Sequence, residues 1–246
     1  MNRRTLLLGT GAALALPAIS ARAQTATITG AGATFPRPLY ERWAQAAREA
    51  IGVQLNYQSI GSGGGINQIA ARTVDFGASD APLTSEQLTE RNLLQFPTVL
   101  GSVVLSANLP GVADNALRLT PEIVVDIFLG RITRWNDTRI TEANRDLRIP
   151  NLPIGPSYRA DGSGTTWVFT TYLSRVSADW RSGPGAGTAV RWPVGNGARG
   201  NEGVSNIIRN TPGAIGYIEN AYAVVNRMPT TQLRNKAGNF VRPEMP

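Results

Sequence analysis

Residues 27–36 of the chain read TITGAGATFP, a short β-type run that ends in a glycine-rich turn. A helix is predicted over residues 36–49, because Leu39, Trp43 and Ala47 recur at i, i+4 and i+8 and form one apolar face. A strand, a glycine-rich turn and a helix in this order make the opening of a β–α–β unit. The stretch therefore predicts an α/β fold.

The same alternation continues downstream. Residues 53–57 alternate apolar and polar side chains as in a half-buried strand, and residues 61–71 supply a second glycine-rich turn and a short helix. Residues 74–80 resemble the end of another strand, and Thr84 with Gln87 forms a capping box for the helix that follows. This βαβαβα order predicts a mainly parallel sheet covered by helices.

A domain boundary is predicted after residue 107. The run over residues 96–107 is almost continuously apolar, which favours a buried strand or a crossover between domains. Residues 108–115 are polar and contain glycine and proline, as connections do. Residues 120–122 (TPE) then have the pattern of a helix start, with an N-cap, a proline and an acid.

The 246 residues include no cysteine and no histidine. Without histidine there is no Ser-His-Asp triad and no imidazole base, and without cysteine there is no disulfide, thiolate nucleophile or iron–sulfur cluster. Lys236 is the only lysine, and Ala237 follows it, so there is no Walker A motif. These absences exclude much of common enzymology. We expect no metal, no cofactor and no catalytic turnover.

The formal net charge is +7 at pH 7, which raises the question of a nucleic-acid partner. The arginines are scattered singly, apart from one adjacent pair, and no basic run or aromatic–basic stripe is present. The charge pattern predicts no nucleic-acid binding.

The adjacent pair, Arg3 and Arg4, belongs to a predicted signal peptide over residues 1–23. An apolar stretch follows the pair, and residues 21–23 (ARA) supply the small-x-small pattern of a cleavage site. We expect export to the periplasm, and the arginine pair is compatible with the twin-arginine route.

Three glycine-rich turns, at residues 30–35, 61–65 and 161–166, share small side chains, hydroxyls and free backbone amides. Glycine lets the backbone approach a ligand, and the first N–H groups of a helix point at an anion. Any one of these turns could be a tight connection and nothing more. Three in one chain favour an anion site.

Four segments carry a resemblance to a known family: TGAGATFP (residues 29–36), DFGASDAP (residues 75–82), RADGSGT (residues 159–165) and PGAIGY (residues 212–217). In this order they resemble the signatures of the periplasmic phosphate-binding proteins, the PstS family, which are the substrate-binding subunits of a phosphate ABC importer. The resemblance extends from about residue 26 to about residue 239.

The resemblance implies a periplasmic binding protein fold of type II, with two α/β lobes closing over phosphate. The first lobe would comprise residues 24–107, with a crossover strand near 96–107, and the second residues 108–246. Family members continue beyond the position equivalent to Pro246, so the resemblance also implies a C-terminally truncated chain whose first lobe lacks its last part. Such a chain is expected to be poorly stable or to close weakly around phosphate.

The resemblance assigns the phosphate contacts residue by residue. Six residues would donate hydrogen bonds from their hydroxyls or amides: Thr34, Phe35, Ser62, Ser163, Gly164 and Thr165. Arg159 would supply the positive charge, and Asp161 would fix its guanidinium. Asp80 would be an acceptor aimed at the anion.

An acceptor at Asp80 would distinguish phosphate from sulfate. Phosphate keeps a proton at neutral pH and can donate it to a carboxylate, whereas sulfate cannot. An unpaired Asp80 would cost about 1–3 kcal/mol, as for any buried polar group without a partner. Without the resemblance, a helix or turn cap is the favoured interpretation of Asp80, and Asp161 with Arg159 is equally interpretable as a surface ion pair.

The function that follows is phosphate binding in the periplasm and delivery to the permease and ATPase subunits of a membrane ABC importer, by a monomer. The alternatives are a binding protein for another oxyanion, such as sulfate or molybdate, and a non-functional truncated paralogue. A phosphate-releasing hydrolase is disfavoured, because the sequence has no dense acidic cluster for two metal ions.

Overall fold

The structure is a computed structural model that describes residues 26–243. The predicted signal peptide over residues 1–23 lies outside the described residues. Among residues 26–243, no helix combines the length and the apolar character that crossing a membrane requires.

The first lobe is built on a parallel sheet. Its elements, in chain order, are β1 (Thr27–Gly32), α1 (Arg37–Ile51), β2 (Gln54–Ser59), α2 (Ser62–Ala70), β3 (Phe76–Ala78) and α3 (Ser85–Arg91). The strand order is β2–β1–β3, with Ala31 of β1 opposite both Gln58 of β2 and Gly77 of β3. The predicted parallel sheet with covering helices is confirmed.

Helix α1 forms as predicted, but the prediction of its apolar face is only partly correct. Trp43 is 44% exposed, and the buried residue of the helix is Tyr40. The Tyr40 ring packs edge-on against Tyr57, with ring centroids 4.9 Å apart, and against Phe76 at 6.0 Å. Burial on this helix is therefore decided by an aromatic cluster with β2 and β3, which the helical period alone does not reveal.

The second lobe contains a four-stranded mixed sheet and a smaller three-stranded sheet. Its elements are β4 (Val103–Ala107), β5 (Arg118–Leu119), α4 (Pro121–Phe128), α5 (Thr138–Ala143), β6 (Gly155–Arg159), α6 (Gly164–Val176), α7 (Ala178–Ser182), β7 (Asn196–Ala198), α8 (Gly200–Asn210), β8 (Ala214–Glu219), α9 (Asn220–Val225), β9 (Gln232–Arg234) and β10 (Phe240–Val241). The order is β4–β8–β6–β7 in the large sheet and β10–β9–β5 in the small one.

The strand predicted near residues 96–107 is shorter than the apolar run. Only Val103–Ala107 forms a strand, and it pairs antiparallel with β8 in the sheet of the second lobe. Phe96 and Leu100 lie in irregular chain before it and are 75% and 92% exposed. An apolar composition marked the strand but not its beginning.

The core of the second lobe forms where α4 and α6 cover the large sheet. Phe128, Leu173 and Tyr217 are fully buried there, together with Trp135. Helix α6 begins within the predicted glycine-rich turn of residues 161–166, at Gly164, with Ser163 as its N-cap. The packed sheet and helix thus hold the turn in place.

Candidate functional site

The residues predicted for the site come from four separate segments of the chain, and the structure brings them together between the lobes. Thr34 and Phe35 follow β1, Ser62 begins α2, and Asp80 follows β3. Arg159 ends β6, and the turn over residues 161–165 leads into α6. All of these positions lie at the carboxyl ends of parallel strands, where ligands of open α/β sheets bind.

Arg159 and Asp161 form a buried ion pair at the centre of the site. Their side chains are 1% and 7% exposed, and the Arg159 Nε donates to Asp161 Oδ1 at 2.8 Å. The Gly200 amide donates to the same oxygen at 3.1 Å. Burial acts to raise the pKa of Asp161, but the hydrogen bonds and charge of Arg159 lower it below its ordinary value. The carboxylate therefore stays ionised and fixes the guanidinium.

The free edge of the Arg159 guanidinium contacts both lobes. Its Nη1 lies 3.2 Å from the Oγ1 of Thr34 in the first lobe and 3.4 Å from the Oγ1 of Thr165 in the second. Arg159 and Thr34 are 3% and 2% exposed, and Thr165 is fully buried. A cation and two hydroxyls thus converge on one protected point.

Two buried serines use their oxygens as acceptors. The Ser62 Oγ accepts from the Gly164 amide at 3.0 Å, which links the two lobes. The Ser163 Oγ accepts from the Thr166 amide at 3.1 Å as the cap of α6. Because a hydroxyl also carries one hydrogen, both serines retain a donor for a ligand.

Glycines that face the opposite lobe allow the two lobes to approach each other closely. The Gly63 amide donates to the Gly162 carbonyl oxygen at 2.9 Å. A Cβ added to Gly164 would lie 2.5 Å from the Cβ of Asp80, closer than real Cβ contacts. The absence of side chains at these positions permits the contact between the lobes.

Asp80 faces the site from the first lobe. Its Oδ2 accepts from the Thr165 Oγ1 at 3.3 Å. Burial raises the pKa of Asp80 to about 6, although the charge of Arg159 and the bonds from Thr165 act to lower it. The buried carboxyl group therefore holds a proton more tightly than an exposed aspartate does. Phe35 follows Thr34 in its turn, with its ring against Gly101.

Sequence analysis missed three residues of the site: Asn201, Tyr222 and Glu219. The Asn201 side-chain amide donates to the Thr34 Oγ1 at 2.6 Å, and the Tyr222 hydroxyl donates to the Thr34 carbonyl oxygen at 2.6 Å. A signal was available for Asn201, because Gly200 and Asn201 open a helix directly after a short strand, as in the other anion turns. No comparable signal marks Tyr222.

Glu219 ends β8 beside the site. Its Oε2 accepts from the Ala221 amide at 2.7 Å. Burial and the charge of Asp80 raise the pKa of Glu219 to about 7, while bonds from backbone amides act to lower it. Asp80 and Glu219 are therefore two carboxyl groups with raised pKa values, and they lie close enough for the charge of Asp80 to act on Glu219.

The family model and the relatives that match this chain agree with each other. Residues 18–241 match the family model described as the PBP superfamily domain. The chain is 46% identical over 243 residues to the phosphate-binding protein PstS of Pasteurella multocida (strain Pm70), covering 99% of this chain and 70% of that protein. It is 48% identical over 227 residues to the phosphate-binding protein PstS of Xylella fastidiosa (strain 9a5c), covering 92% of this chain and 62% of the relative.

Solved structures of phosphate-binding proteins share the fold. One is a putative phosphate ABC transporter substrate-binding protein with bound phosphate from Clostridium perfringens, with a TM-score of 0.64, 21% identity and coverage of 84% of this chain and 75% of that chain. Another is a phosphate-binding protein from Stenotrophomonas maltophilia, with a TM-score of 0.59, 21% identity and coverage of 84% and 64%.

Proposed function

We propose, because this chain belongs to the PstS family of phosphate-binding proteins, that it binds inorganic phosphate between its two lobes without chemical turnover. The observation that carries the proposal is the Arg159 guanidinium. It is held by buried Asp161 and contacts hydroxyls of both lobes at Thr34 and Thr165. An anion placed there would join the two lobes.

The donors proposed for phosphate are the eight residues predicted from the sequence, less the acceptor Asp80. They are the hydroxyls of Thr34, Ser62, Ser163 and Thr165, the amides of Phe35 and Gly164, and the Arg159 guanidinium. The single hydroxyl hydrogen of Thr165, which points to Asp80 in this structure, would turn to the anion. Helices α2 and α6 also begin at the site, and the positive ends of their dipoles favour an anion. Charge-assisted hydrogen bonds contribute about 1.5–3 kcal/mol each, so several convergent donors can offset the desolvation of phosphate.

Asp80 is proposed to accept the proton that phosphate retains at neutral pH. Its position beside Thr165 and its raised pKa support this role. Sulfate has no proton to donate, so one of its negatively charged oxygens would face the Asp80 carboxylate. We therefore expect discrimination against sulfate.

The remaining parts of the proposal concern the cell. We propose export through residues 1–23, with the twin-arginine route as the route to test, and action as a monomer in the periplasm. The partners would be the permease and ATPase subunits of a phosphate ABC importer. The lobes proposed from the sequence are residues 24–107 and 108–246, although β4 at the end of the first range pairs with β8 in the sheet of the second lobe. The chain spans 70% and 62% of the lengths of the two relatives described above, so the activity of the whole protein is part of the proposal.

Isothermal titration calorimetry of the purified protein tests the function. We expect saturable heat with phosphate and much less with sulfate at equal concentration and pH. Replacing Asp80 by Asn should bring the two affinities closer together. Equal heat from both anions, or heat only from sulfate or molybdate, would contradict phosphate as the ligand and favour another oxyanion.

A further inference from the structure

Asn201 is the second residue of helix α8, is fully buried and touches both lobes through one side-chain amide. We propose that Asn201 is a positioning residue that forces the Thr34 hydroxyl to donate its hydrogen into the cleft. The inference rests on the proposed function, since the bound anion would receive that hydrogen. It adds to the predicted site a residue that does not itself touch the ligand.

The first step is the orientation of the Asn201 amide. The backbone N–H of Glu219 lies 2.9 Å from the Asn201 Oδ1. A backbone N–H can only donate, so the atom that faces it must be the carbonyl oxygen. The opposite orientation would set an NH₂ group against an N–H donor. The peptide group of Glu219 therefore fixes the side-chain amide of Asn201.

The second step passes that orientation to Thr34. With its oxygen held by Glu219, the Asn201 Nδ2 faces the Thr34 Oγ1 at 2.6 Å and donates to it. The Asn201 backbone amide and the Arg159 Nη1 lie 3.2 Å from the same oxygen. All three neighbours are donors only, so the Thr34 oxygen must accept. Its own hydrogen is left to point towards the ligand.

The third step connects this arrangement to the chain that joins the lobes. Glu219 pairs with Val103 across strands β8 and β4, and the Asn220 amide donates to the Ser102 carbonyl oxygen at 2.9 Å. Residues 102 and 103 lie where the chain passes from the first lobe into the second. Asn201 thus ties Thr34 of the first lobe to this connection, so that the hydroxyl is oriented only when the lobes are closed.

A double-mutant cycle with phosphate as the titrant tests the inference. Asn201→Ala and Thr34→Val should each weaken phosphate binding by about 10- to 100-fold, and the double variant should be within about 3-fold of Thr34→Val alone. In a Thr34→Ser background, which keeps the hydroxyl, Asn201→Ala should retain its full effect. Losses that multiply in the double variant would overturn the inference.

Asn144 provides the matched control. It is also fully buried in the second lobe, and its side-chain amide bonds to the Arg118 amide and to the carbonyl oxygens of Arg118 and Ile140. Asn144→Ala should lower the melting temperature and leave the Kd for phosphate within about 2-fold. If Asn201→Ala changes only the melting temperature, as this control does, Asn201 is structural and the inference is wrong.

A second variant covers the case in which Asn201→Ala does not fold. Asn201→Asp keeps an acceptor for Glu219 but loses the donor to Thr34, and it adds a charge. The charge weakens binding with or without the Thr34 hydroxyl, whereas the lost orientation matters only when that hydroxyl is present. Asn201→Asp should therefore weaken phosphate binding about 10-fold more in the wild-type background than in the Thr34→Val background. Equal losses of affinity in the two backgrounds would overturn the inference.

The wild-type titration separates this inference from the proposed function. If sulfate or molybdate binds and phosphate does not, phosphate is excluded and the cycle is measured with the anion that binds. If no oxyanion binds to the wild-type protein, both the function and the inference are overturned.

Discussion

The two lobes supply the groups proposed for phosphate binding to the same cleft from very different interiors. In the second lobe, Trp135, Trp180 and Phe128 are fully buried. In the first lobe, Tyr40 is the largest buried side chain among the described residues, and helix α3 buries none of its residues. The second lobe therefore provides rigidity for Arg159, whereas the first lobe provides groups whose position depends on contact with its neighbour.

Because the second lobe holds Arg159 rigidly, we expect the loss of this cation to have the largest effect on phosphate binding among the substitutions described below. Arg159→Met should abolish detectable phosphate binding and also lower the free energy of unfolding by about 3–5 kcal/mol, because Asp161 would remain buried without its partner. Calorimetry and urea unfolding measure the two effects. Arg139→Met, which affects half-exposed pairs with Asp126 and Asp137, is the control and should change neither appreciably. Retained phosphate affinity in Arg159→Met would contradict the central role of the cation.

The packing contrast is tested by truncating one aromatic side chain in each lobe. Phe128→Ala should lower the free energy of unfolding by about 3–5 kcal/mol, because its neighbours in the core cannot close the cavity. Tyr40→Ala should cost about 1–2 kcal/mol, since exposed Trp43 stacks on Tyr40 and can move into the space. Denaturant unfolding measures both values. Equal costs would show that the first lobe is as firmly packed as the second.

The pH dependence of Asp80 sharpens the comparison at the cleft. Its pKa is raised by burial from 3.8 to about 6, so the folded state holds this proton more tightly than the unfolded state. The wild-type protein should therefore lose stability relative to Asp80→Asn as pH rises from about 4 to about 6, by up to about 2–3 kcal/mol. Unfolding measured across this range without phosphate checks the result.

The matched control for that experiment is Glu219→Gln in the second lobe. The pKa of Glu219 is raised to about 7. The loss of wild-type stability relative to Glu219→Gln should therefore continue to a higher pH than the loss relative to Asp80→Asn. Stability differences that do not change with pH for either variant would contradict the burial of both carboxylates.

The smallest effect is expected from an exposed ion pair between the lobes. Arg37 of α1 and Glu202 of α8 lie 2.8 Å apart, with side chains 43% and 41% exposed. Arg37→Met should weaken phosphate binding by less than about 3-fold, and the change should disappear at about 0.5 M salt. Arg118→Met, whose partner Asp146 lies in the same lobe, should leave the affinity unchanged at either salt concentration. A large effect that persists in high salt would show that closure depends on this pair.

Local signals in the sequence predicted local structure well. Thr84 and Gln87 form the expected capping box, and Thr120 caps the helix that Pro121 begins. These features depend on residues three or four positions apart, so no knowledge of the rest of the fold is needed. The exposure of Trp43 and Leu100 could not be predicted, because it depends on which distant elements cover them.

The residues of the candidate site also fall into two groups, those that short strings of sequence reveal and those that depend on distant contacts. The glycine-rich turns and their hydroxyls are recognisable from short strings, and the structure brings them together. Asn201 and Tyr222 contact Thr34 from 167 and 188 positions further along the chain. No short string contains both partners of such a contact, so these residues become visible only when the lobes are placed together.

The contact between Gly63 and Gly162 has a consequence for how this cleft tolerates sequence change. Its hydrogen bond joins the N–H of residue 63 to the carbonyl oxygen of residue 162, backbone groups that every amino acid supplies except for the missing N–H of proline, so no particular side-chain chemistry has to be maintained there. A Cβ at either position would meet the other glycine at 3.3–3.4 Å, which is closer than most real contacts. A substitution at position 63 or 162 must therefore leave the space between the two backbones empty. Mutational scanning should find both positions sensitive to the size of a side chain and indifferent to its polarity.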